Sequence, residues 1–323
     1  TSQSEGSKFK LAPWDLAYYS EKLRAAKYNF EEKELEQYFS LPNVLEGLFA
    51  IVNRLYGIRV EETYEFAIWH KEVKTYKVFD KDDTFLGAFY ADLFTRETKK
   101  SGAWMNGLIY GGPDAEGFKP HLGVMVANIQ PPIEGRSVLL KQSEIKTIFH
   151  EFGHLLHLFL SEAEIGSQKG PQVADDFVEF PSQFMENWYK EREAIDIFAK
   201  HHHTGEKIPS QLLENLGSSV KFQSAYSMMR QLSIGIVDLM LHIHYLPEKD
   251  GDVIEYARKI QQEFSAVPLP QEFSFITNFN HVFSSPVGYA SGYYSYKWSE
   301  TLEADAFSRF KKEGIFNPVV GSR

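Results

Sequence analysis

Two histidines four residues apart, with a glutamate directly after the first, occur at positions 150–154 in the sequence HEFGH. If this segment is helical, His150 and His154 lie about 40° apart on one face, and both imidazoles can reach one zinc ion at ~2.0–2.1 Å. Glu151 then stands beside the first ligand, where it can accept a proton from a water whose pKa the metal has lowered toward ~7. The spacing predicts metal-assisted hydrolysis of a peptide bond.

The element that must carry these residues is an apolar helix over residues 143–161, with Ser143 placed to cap it. A helix that is apolar nearly all round is buried, so the polar side chains at its centre need partners such as a metal ion. Gly153 in mid-helix costs ~1 kcal/mol relative to alanine, which indicates close packing against the backbone there. His157 lies ~10 Å along the helix axis from His150 and is predicted to support the site or pack in the core.

A third ligand is expected, because a catalytic zinc usually has three protein ligands and one open position. The segment VADDFVEFPSQFMENW, residues 173–188, can supply it from Glu179 or Glu186. Asp176 can accept the spare N–H of a ligand histidine and fix its tautomer. The same segment also fits a plain amphipathic helix whose acidic face lies in water.

HEFGHLLH followed by DFVEFPSQFMENW closely resembles the thimet oligopeptidase and oligopeptidase A family of zinc metallopeptidases, nearer its bacterial oligopeptidase A branch. The segments PWDLAYYSEKLR, GAWMNG and GYYSYKW belong to the same resemblance, which runs through essentially the whole chain. It implies one Zn²⁺ per chain, bound by His150, His154 and Glu179, with Glu151 as the general base. The resemblance thus selects Glu179 over Glu186.

Tyrosines recur at spacing i, i+4, i+7 at Tyr289, Tyr293 and Tyr296, so their hydroxyls share one face if this segment is helical. In the family that the chain resembles, tyrosines at the matching positions contact substrate. The resemblance implies that Tyr289 and Tyr296 stabilise the oxyanion of the tetrahedral intermediate, and that Tyr293 and His281 bind substrate. Ordinary aromatic packing is the alternative interpretation, and Tyr294 is predicted to lie in the core.

The predicted fold class is α+β, mostly α, with residues 1–323 forming a single zincin-like catalytic region. Helices are expected over residues 1–60 and 143–314, and a small sheet of three to five strands over residues 63–130. The net charge of −10 argues against a nucleic-acid partner. The sequence contains no apolar run of ~18 residues, so no membrane-spanning helix is predicted. The absence of cysteine favours a reducing, cytoplasmic location.

The chain departs from the family pattern in its loop sequence and in its length. The loop before Tyr289 reads FSSPVGY where the family has a glycine-rich sequence, and Pro286 is expected to stiffen it. Family members are about twice as long, and this chain resembles their catalytic half. The N-terminal helical half of such enzymes is therefore expected to be a required partner region, and the chain alone is expected to bind zinc but hydrolyse peptides weakly.

Three functions are compatible with these residues. The leading one is a zinc-dependent peptidase that cleaves internal bonds of short oligopeptides. A dipeptidyl carboxypeptidase of the same family would need a cation, for example Arg230, to bind the terminal carboxylate of the substrate. A catalytically silent, zinc-stabilised peptide-binding protein is the third, and Glu151 argues against it because binding a metal requires no adjacent base.

Overall fold

The structure is a computed structural model that describes residues 10–28, 32–115, 117–133, 136–219, 221–285 and 287–321. Pro286, for which a stiffening effect was predicted, lies outside the described residues. The chain divides into two compact units. We call residues 32–210 and 299–323 the sheet unit, and residues 1–31 and 211–298 the helical unit. The single catalytic region over residues 1–323 stays a prediction.

The α-helices and strands follow one another along the described chain with a strand-rich stretch between α3 and α4. The α-helices are α1 (Leu16–Tyr28), α2 (Glu32–Glu36), α3 (Leu41–Tyr56), α4 (Gln142–Phe159), α5 (Phe180–Met185), α6 (Arg192–Phe198), α7 (Ser210–Ser219), α8 (Ser224–Ile243), α9 (Pro247–Asp250), α10 (Val253–Phe264), α11 (Asn280–Phe283), α12 (Ser295–Glu313) and α13 (Pro318–Gly321). The strands are β1 (Arg59–Thr63), β2 (Lys74–Phe79), β3 (Phe85–Phe94), β4 (Trp104–Ile109), β5 (Gly112–Asp114), β6 (Gly117–Lys119) and β7 (His121–Ile129). Short 3₁₀ helices cover Pro13–Asp15, Gly166–Gln168, Trp188–Lys190 and Phe275–Asn278. The predicted class, α+β and mostly α, is confirmed.

The sheet unit contains a five-stranded sheet in the order β1-β2-β3-β7-β4, together with the short hairpin of β5 and β6. Within the larger sheet β3 and β7 run parallel, and the other neighbours are antiparallel. β3 and β7 are buried along most of their length, as strands covered on both faces must be. The expected small sheet is therefore present.

The helix α4 packs against the inner strand β7. Gly123 of β7 lies directly under this helix, and a Cβ added there would come within 2.7 Å of Leu155 and 3.2 Å of Leu158. Phe152 of α4 meets Phe49 of α3 and Phe89 of β3 with ring centroids 5.7 and 5.9 Å apart. The apolar residues of α3 and α4 thus form one core with the sheet, and this core fixes the position of α4.

The helical unit contains the long helix α8, packed against α10. The helix α10 begins at an N-cap, Asp252, whose carboxylate accepts the N–H of Glu255 at 2.9 Å. Among the described residues of the whole chain, no helix is both long and apolar enough to cross a bilayer.

Three local predictions need correction. β1 starts at Arg59, before the predicted sheet region. The helix α4 begins at Gln142 after the N-cap Lys141, so Ser143 lies inside its first turn and does not cap it. Over residues 173–188 only Phe180–Met185 is α-helical, because residues 175–179 form turns.

Candidate metal centre

Helix α4 presents His150 and His154 one turn apart, as the spacing predicted. Their ring centroids lie 5.1 Å apart with the ring planes at 86°. Both side chains are largely buried, since the rest of the helix packs in the core of the sheet unit. Two imidazoles are therefore held close together on a rigid element.

The carboxylate of Glu179 meets both histidines from the neighbouring segment. Its Oε2 lies 3.2 Å from Nε2 of His150 and 3.4 Å from Nε2 of His154. One donor atom from each of the three residues lies within 4.8 Å of the other two. Ser182 fixes the carboxylate further, because its hydroxyl donates to Glu179 Oε2 and to the Glu179 carbonyl, both at 2.9 Å. We call His150, His154 and Glu179 the metal group.

The close approach of the two segments depends on Gly153. A Cβ added at this position would lie 2.6 Å from both the Pro181 carbonyl oxygen and the Ser182 Cα. Those atoms belong to the backbone of α5, so no side-chain rotation can make room for a methyl group. The close packing predicted at Gly153 is confirmed, and it brings the start of α5 onto α4 beside the histidines.

Glu186, which the sequence offered as an alternative metal ligand, contacts His150 from the side opposite Glu179. Its Oε1 accepts a hydrogen bond from Nδ1 of His150 at 2.8 Å, and its Oε2 lies 3.1 Å from Lys146 Nζ. Glu186 thus contacts the ring nitrogen of His150 that faces away from Glu179, which fixes the tautomer and the ring orientation. Its position seven residues after Glu179 is the sequence signal for this arrangement, because two helical turns return a side chain to nearly the same face.

The carboxylates oppose the effect of burial on the histidine. Burial alone would lower the pKa of His150, but the hydrogen bonds to Glu179 and Glu186 outweigh it and raise that pKa to about 10. Burial would raise the pKa of Glu179, but the hydrogen bonds from His150 and His154 hold it well below its usual value. The two carboxylates thus favour a positive charge at the position of the His150 ring.

Glu151 lies beside the metal group in a different environment. Its side chain is buried, and burial raises the pKa of its carboxyl group, while the nearby His150 and His154 oppose the shift. A carboxylate with a raised pKa accepts a proton more readily near neutral pH than an exposed one does. The arrangement suits proton transfer.

His157 and Asp176 were predicted to support the ligands. Nδ1 of His157 is buried without a hydrogen-bond partner, and burial, with a contribution from His154, lowers the pKa of this histidine to about 4. The carbonyl of Asp176 accepts a hydrogen bond from the Ser299 hydroxyl at 3.0 Å. The supporting roles of both side chains stay predictions.

Residues from the end of the chain hold the short helix α5 from its other side. Phe184 and Trp188 pack against aromatic rings of α12, with centroids 5.1–6.3 Å apart at Phe307 and Phe310. The indole N–H of Trp188 donates to the carbonyl of Ile315 at 2.9 Å. The helix α5, which packs against α4, is therefore also held by segments more than a hundred residues later.

In the helical unit, the structure brings together the four other predicted site residues. The rings of His281 and Tyr289 lie 4.4 Å apart, and those of Tyr293 and Tyr296 5.2 Å apart. The Tyr296 hydroxyl hydrogen-bonds Nε2 of His281 at 3.1 Å. We call these four residues the tyrosine group. Their roles toward substrate stay predictions.

The path of the chain through the tyrosine group differs from the expected helix. Residues 288–294 form successive turns, and α12 begins at Ser295, so only Tyr296 lies on a helix. Tyr294, predicted to lie in the core, is 44% exposed. Ser291 adopts a left-handed conformation with φ of 58°, which redirects the chain between Tyr289 and Tyr293. The residues of the tyrosine group therefore lie close together because the chain turns at residues 288–294, and not because they share a helix face.

Comparison with known proteins identifies relatives over nearly the whole chain. It is 39% identical to oligopeptidase A of Escherichia coli K12 over 97% of its length, and 38% identical to a probable cytosolic oligopeptidase A of Arabidopsis thaliana over 94%. It is also 32% identical to a dipeptidyl carboxypeptidase of Salmonella typhimurium over 98% of its length.

These matches cover 46%, 44% and 46% of the relatives, so the chain spans about half the length of the curated proteins it matches. The family described as Peptidase family M3 matches residues 1–323, the whole of the chain. The chain therefore belongs to peptidase family M3.

Proposed function

We propose that this chain forms the zincin-like catalytic region of a zinc-dependent peptidase that hydrolyses internal bonds of short peptides. The observation that carries the proposal is the metal group, in which two imidazole nitrogens and one carboxylate oxygen converge within 4.8 Å. Glu151, a buried carboxylate with a raised pKa, stands next to the first of these residues in sequence.

The donor set fits zinc in chemistry and in size. Two histidines and a glutamate are a known ligand set of catalytic zinc, with one coordination position left open. Zinc bonds of ~2.0–2.1 Å in tetrahedral geometry place neighbouring ligand atoms about 3.4 Å apart. The two histidine Nε2 atoms lie 3.2 and 3.4 Å from Glu179 Oε2. A zinc ion can therefore enter with little movement of these side chains.

Each residue then has a defined task. When bound, zinc supplies a Lewis acid and lowers the pKa of water. Glu151 accepts the proton of the attacking water and delivers it to the leaving amine. Glu186 keeps His150 in the tautomer that leaves its Nε2 free for the metal. Asp176 and His157 are proposed to support the ligands without binding the metal.

For the tyrosine group we propose the roles that the family resemblance implies. The hydroxyls of Tyr289 and Tyr296 donate to the oxyanion of the tetrahedral intermediate. Tyr293 and His281 position the substrate. The mutual ring contacts of these four residues support the proposal, because they show one cluster that carries several hydroxyl groups.

Three broader predictions are retained as proposals. We propose short peptides as the substrates, since relatives of this chain are named oligopeptidases. We propose a cytoplasmic location, which the absence of cysteine favours. We also propose that the region present only in the longer relatives is needed as a partner for full activity.

The decisive experiment compares the parent chain with Glu151→Gln. Zinc content is measured by inductively coupled plasma mass spectrometry. Hydrolysis is measured with an internally quenched fluorescent peptide, with and without a chelator. We expect Glu151→Gln to keep zinc and to lose about 10²- to 10⁴-fold in kcat, the usual contribution of a general base. Glu144→Gln is the matched control, because it changes another glutamate of α4, located in the first turn of the helix.

An unchanged rate in Glu151→Gln, or hydrolysis that survives removal of zinc, would contradict the proposal. A chain that binds zinc and peptide but has no hydrolytic activity to lose would favour the silent binding protein.

A dipeptidyl carboxypeptidase is the second candidate, because a relative with that name is 32% identical over nearly the whole chain. Such an enzyme needs the free terminal carboxylate of its substrate. Cleavage of a peptide with a free C-terminus, but not of its amidated form, would favour this activity. Equal cleavage of both would favour the internal peptidase.

A further inference from the structure

A buried carboxylate stands at the base of the tyrosine group. Asp238 of α8 is 1% exposed, yet its carboxylate faces the turn at residues 287–294, which we call the tyrosine turn. Its Oδ1 accepts the N–H of Ser291 and its Oδ2 accepts the N–H of Tyr293, both at 2.9 Å. A buried carboxylate is costly unless it is hydrogen-bonded, so these two bonds stabilise both the charge and the turn.

A histidine donates a further hydrogen bond to this aspartate. Nδ1 of His242 lies 3.0 Å from Asp238 Oδ1 and 2.8 Å from the Asp238 carbonyl oxygen. Both atoms are acceptors, so Nδ1 carries the hydrogen. The His242 ring also stacks on Phe283 of α11, with centroids 5.9 Å apart. Asp238 therefore receives three donors, two of them from the backbone of the tyrosine turn.

The same face of α8 accommodates Tyr293 along its whole length. The N–H of Tyr293 bonds Asp238, its ring lies 3.9 Å from where a Cβ on Gly235 would stand, and its hydroxyl donates to Gln231 Oε1 at 3.0 Å. Positions 231, 235 and 238 follow one another at helical spacing on a single face. The contacts at both ends of the side chain fix its direction.

The backbone of the tyrosine turn needs such support. Ser291 has φ of 58°, and left-handed conformations cost free energy in residues with a Cβ unless the surroundings hold them. The hydrogen bond from the Ser291 N–H to Asp238 holds this conformation. Because Ser291 lies between Tyr289 and Tyr293, its conformation sets the relative direction of these two side chains.

We propose that Asp238 is the positioning residue of the tyrosine turn, which it holds in the shape that aligns the tyrosine hydroxyls for the reaction. This inference rests on the proposed function for its catalytic consequence. It makes a separate structural claim about the amides of residues 291 and 293.

The test uses Asp238→Asn, which keeps the size of the side chain. In this variant the remaining carbonyl oxygen should face Ser291 N–H and His242 Nδ1–H, because both are donors. The amide NH₂ then faces the N–H of Tyr293, so that hydrogen bond is lost. Asp252→Ala is the matched control, since it removes another carboxylate that accepts a backbone N–H in the helical unit, away from the tyrosine turn.

Hydrogen exchange provides the readout that needs no enzymatic activity. We expect the Tyr293 amide of Asp238→Asn to exchange at least about 10-fold faster than in the parent chain, with a smaller change at Ser291. The control should leave both unchanged. Equal exchange at these amides in the parent and Asp238→Asn would overturn the proposal.

The catalytic consequence is tested by a double-mutant cycle. Asp238→Asn should lower kcat by roughly 10-fold or more at unchanged zinc content, because a hydrogen bond to a charged group is lost. In a chain that already carries Tyr289→Phe and Tyr296→Phe, the same change should cost less than about 3-fold, since the hydroxyls that it positions are gone. Full additivity of the two effects would refute the positioning role.

The two proposals can fail separately. If Glu151→Gln turns over peptide as fast as the parent chain, the proposed function fails, and hydrogen exchange alone then decides whether Asp238 holds the turn. If Glu151→Gln is inactive but Asp238→Asn is additive with the tyrosine changes, only the positioning role fails.

Discussion

The metal group and the tyrosine group both hold polar side chains in fixed positions, but different kinds of contact hold them. The metal group is held by side chains. A helix in the core carries both histidines, Glu186 accepts a hydrogen bond from His150, and Ser182 donates one to Glu179. The tyrosine group is held through its backbone, since Asp238 binds the amides of a turn. A metal needs ligands fixed within tenths of an ångström, whereas a turn can adjust to a substrate. The comparison therefore predicts that the two groups fail differently when they are mutated.

The largest effect is expected at Glu179. Glu179→Ala removes one of three proposed ligands and should weaken zinc binding by more than about 100-fold, because residues that only support a ligand already contribute about 10- to 100-fold. Competition with a chromophoric chelator measures the affinity. The exposed Glu193→Ala on α6 serves as the control and should bind zinc like the parent. An unchanged zinc affinity in Glu179→Ala would show that Glu179 is not a metal ligand.

Loss of one hydroxyl from the tyrosine group should affect turnover alone. Tyr296→Phe removes the hydroxyl that bonds His281, and we expect kcat to fall by about 10²- to 10³-fold, as for other oxyanion donors. Zinc affinity should stay at the parent value. The neighbouring Tyr294→Phe, changed at an exposed ring, should keep full activity. A loss of zinc in Tyr296→Phe would show that the two groups are not independent.

A smaller effect on the metal is expected at Glu186. Glu186→Gln keeps an acceptor for His150 Nδ1 but removes the negative charge that raises the pKa of this histidine. Zinc affinity should fall by about 10- to 100-fold. Glu193→Gln gives the matched comparison. A fall as large as that of Glu179→Ala would mean that Glu186 itself binds the metal.

The smallest expected effect concerns the contact between α4 and α5. Gly153→Ala places a methyl group against backbone atoms and should destabilise the sheet unit by about 1–3 kcal/mol, even though alanine favours a helix. Gly217→Ala on α7 meets no atom within 4 Å and should stabilise the protein by about 0.5–1 kcal/mol. Urea unfolding measures both changes. The same sign for the two variants would contradict the close packing.

The sequence predicted those parts of the fold and site whose signals are local. Helical geometry alone was enough to predict that His150 and His154 lie on one face. The apolar residues of α3 and α4 indicated that these two helices lie in the core. The choice between Glu179 and Glu186 rested on family resemblance, because both recur on one face. The edge strands β1 and β4 carry weak sequence signals, because RVEET and WMNGLI lack the alternation of a half-buried strand.

The remaining features depend on contacts between segments far apart in the chain. The sequence offered Glu186 only as an alternative metal ligand and did not predict its contact with His150, because this hydrogen bond spans 36 residues. The turn that replaces the expected helix at Tyr289–Tyr293 depends on Asp238, more than fifty residues earlier. Asp238 and His242 are the two polar side chains in the second half of α8, and they were the available signal. Such pairings are set by tertiary packing, which local propensity does not encode.

The support that α12 and Ile315 give to α5 has a consequence for how the protein is made. A six-residue helix does not persist alone in water, and several groups that hold Phe184 and Trp188 lie beyond residue 300, namely Phe307, Phe310 and the Ile315 carbonyl. On the ribosome, the histidines emerge long before the segment that steadies the glutamate opposite them. A nascent chain released before residue 307 should therefore retain zinc more weakly, so tight capture of the ion should follow synthesis of α12.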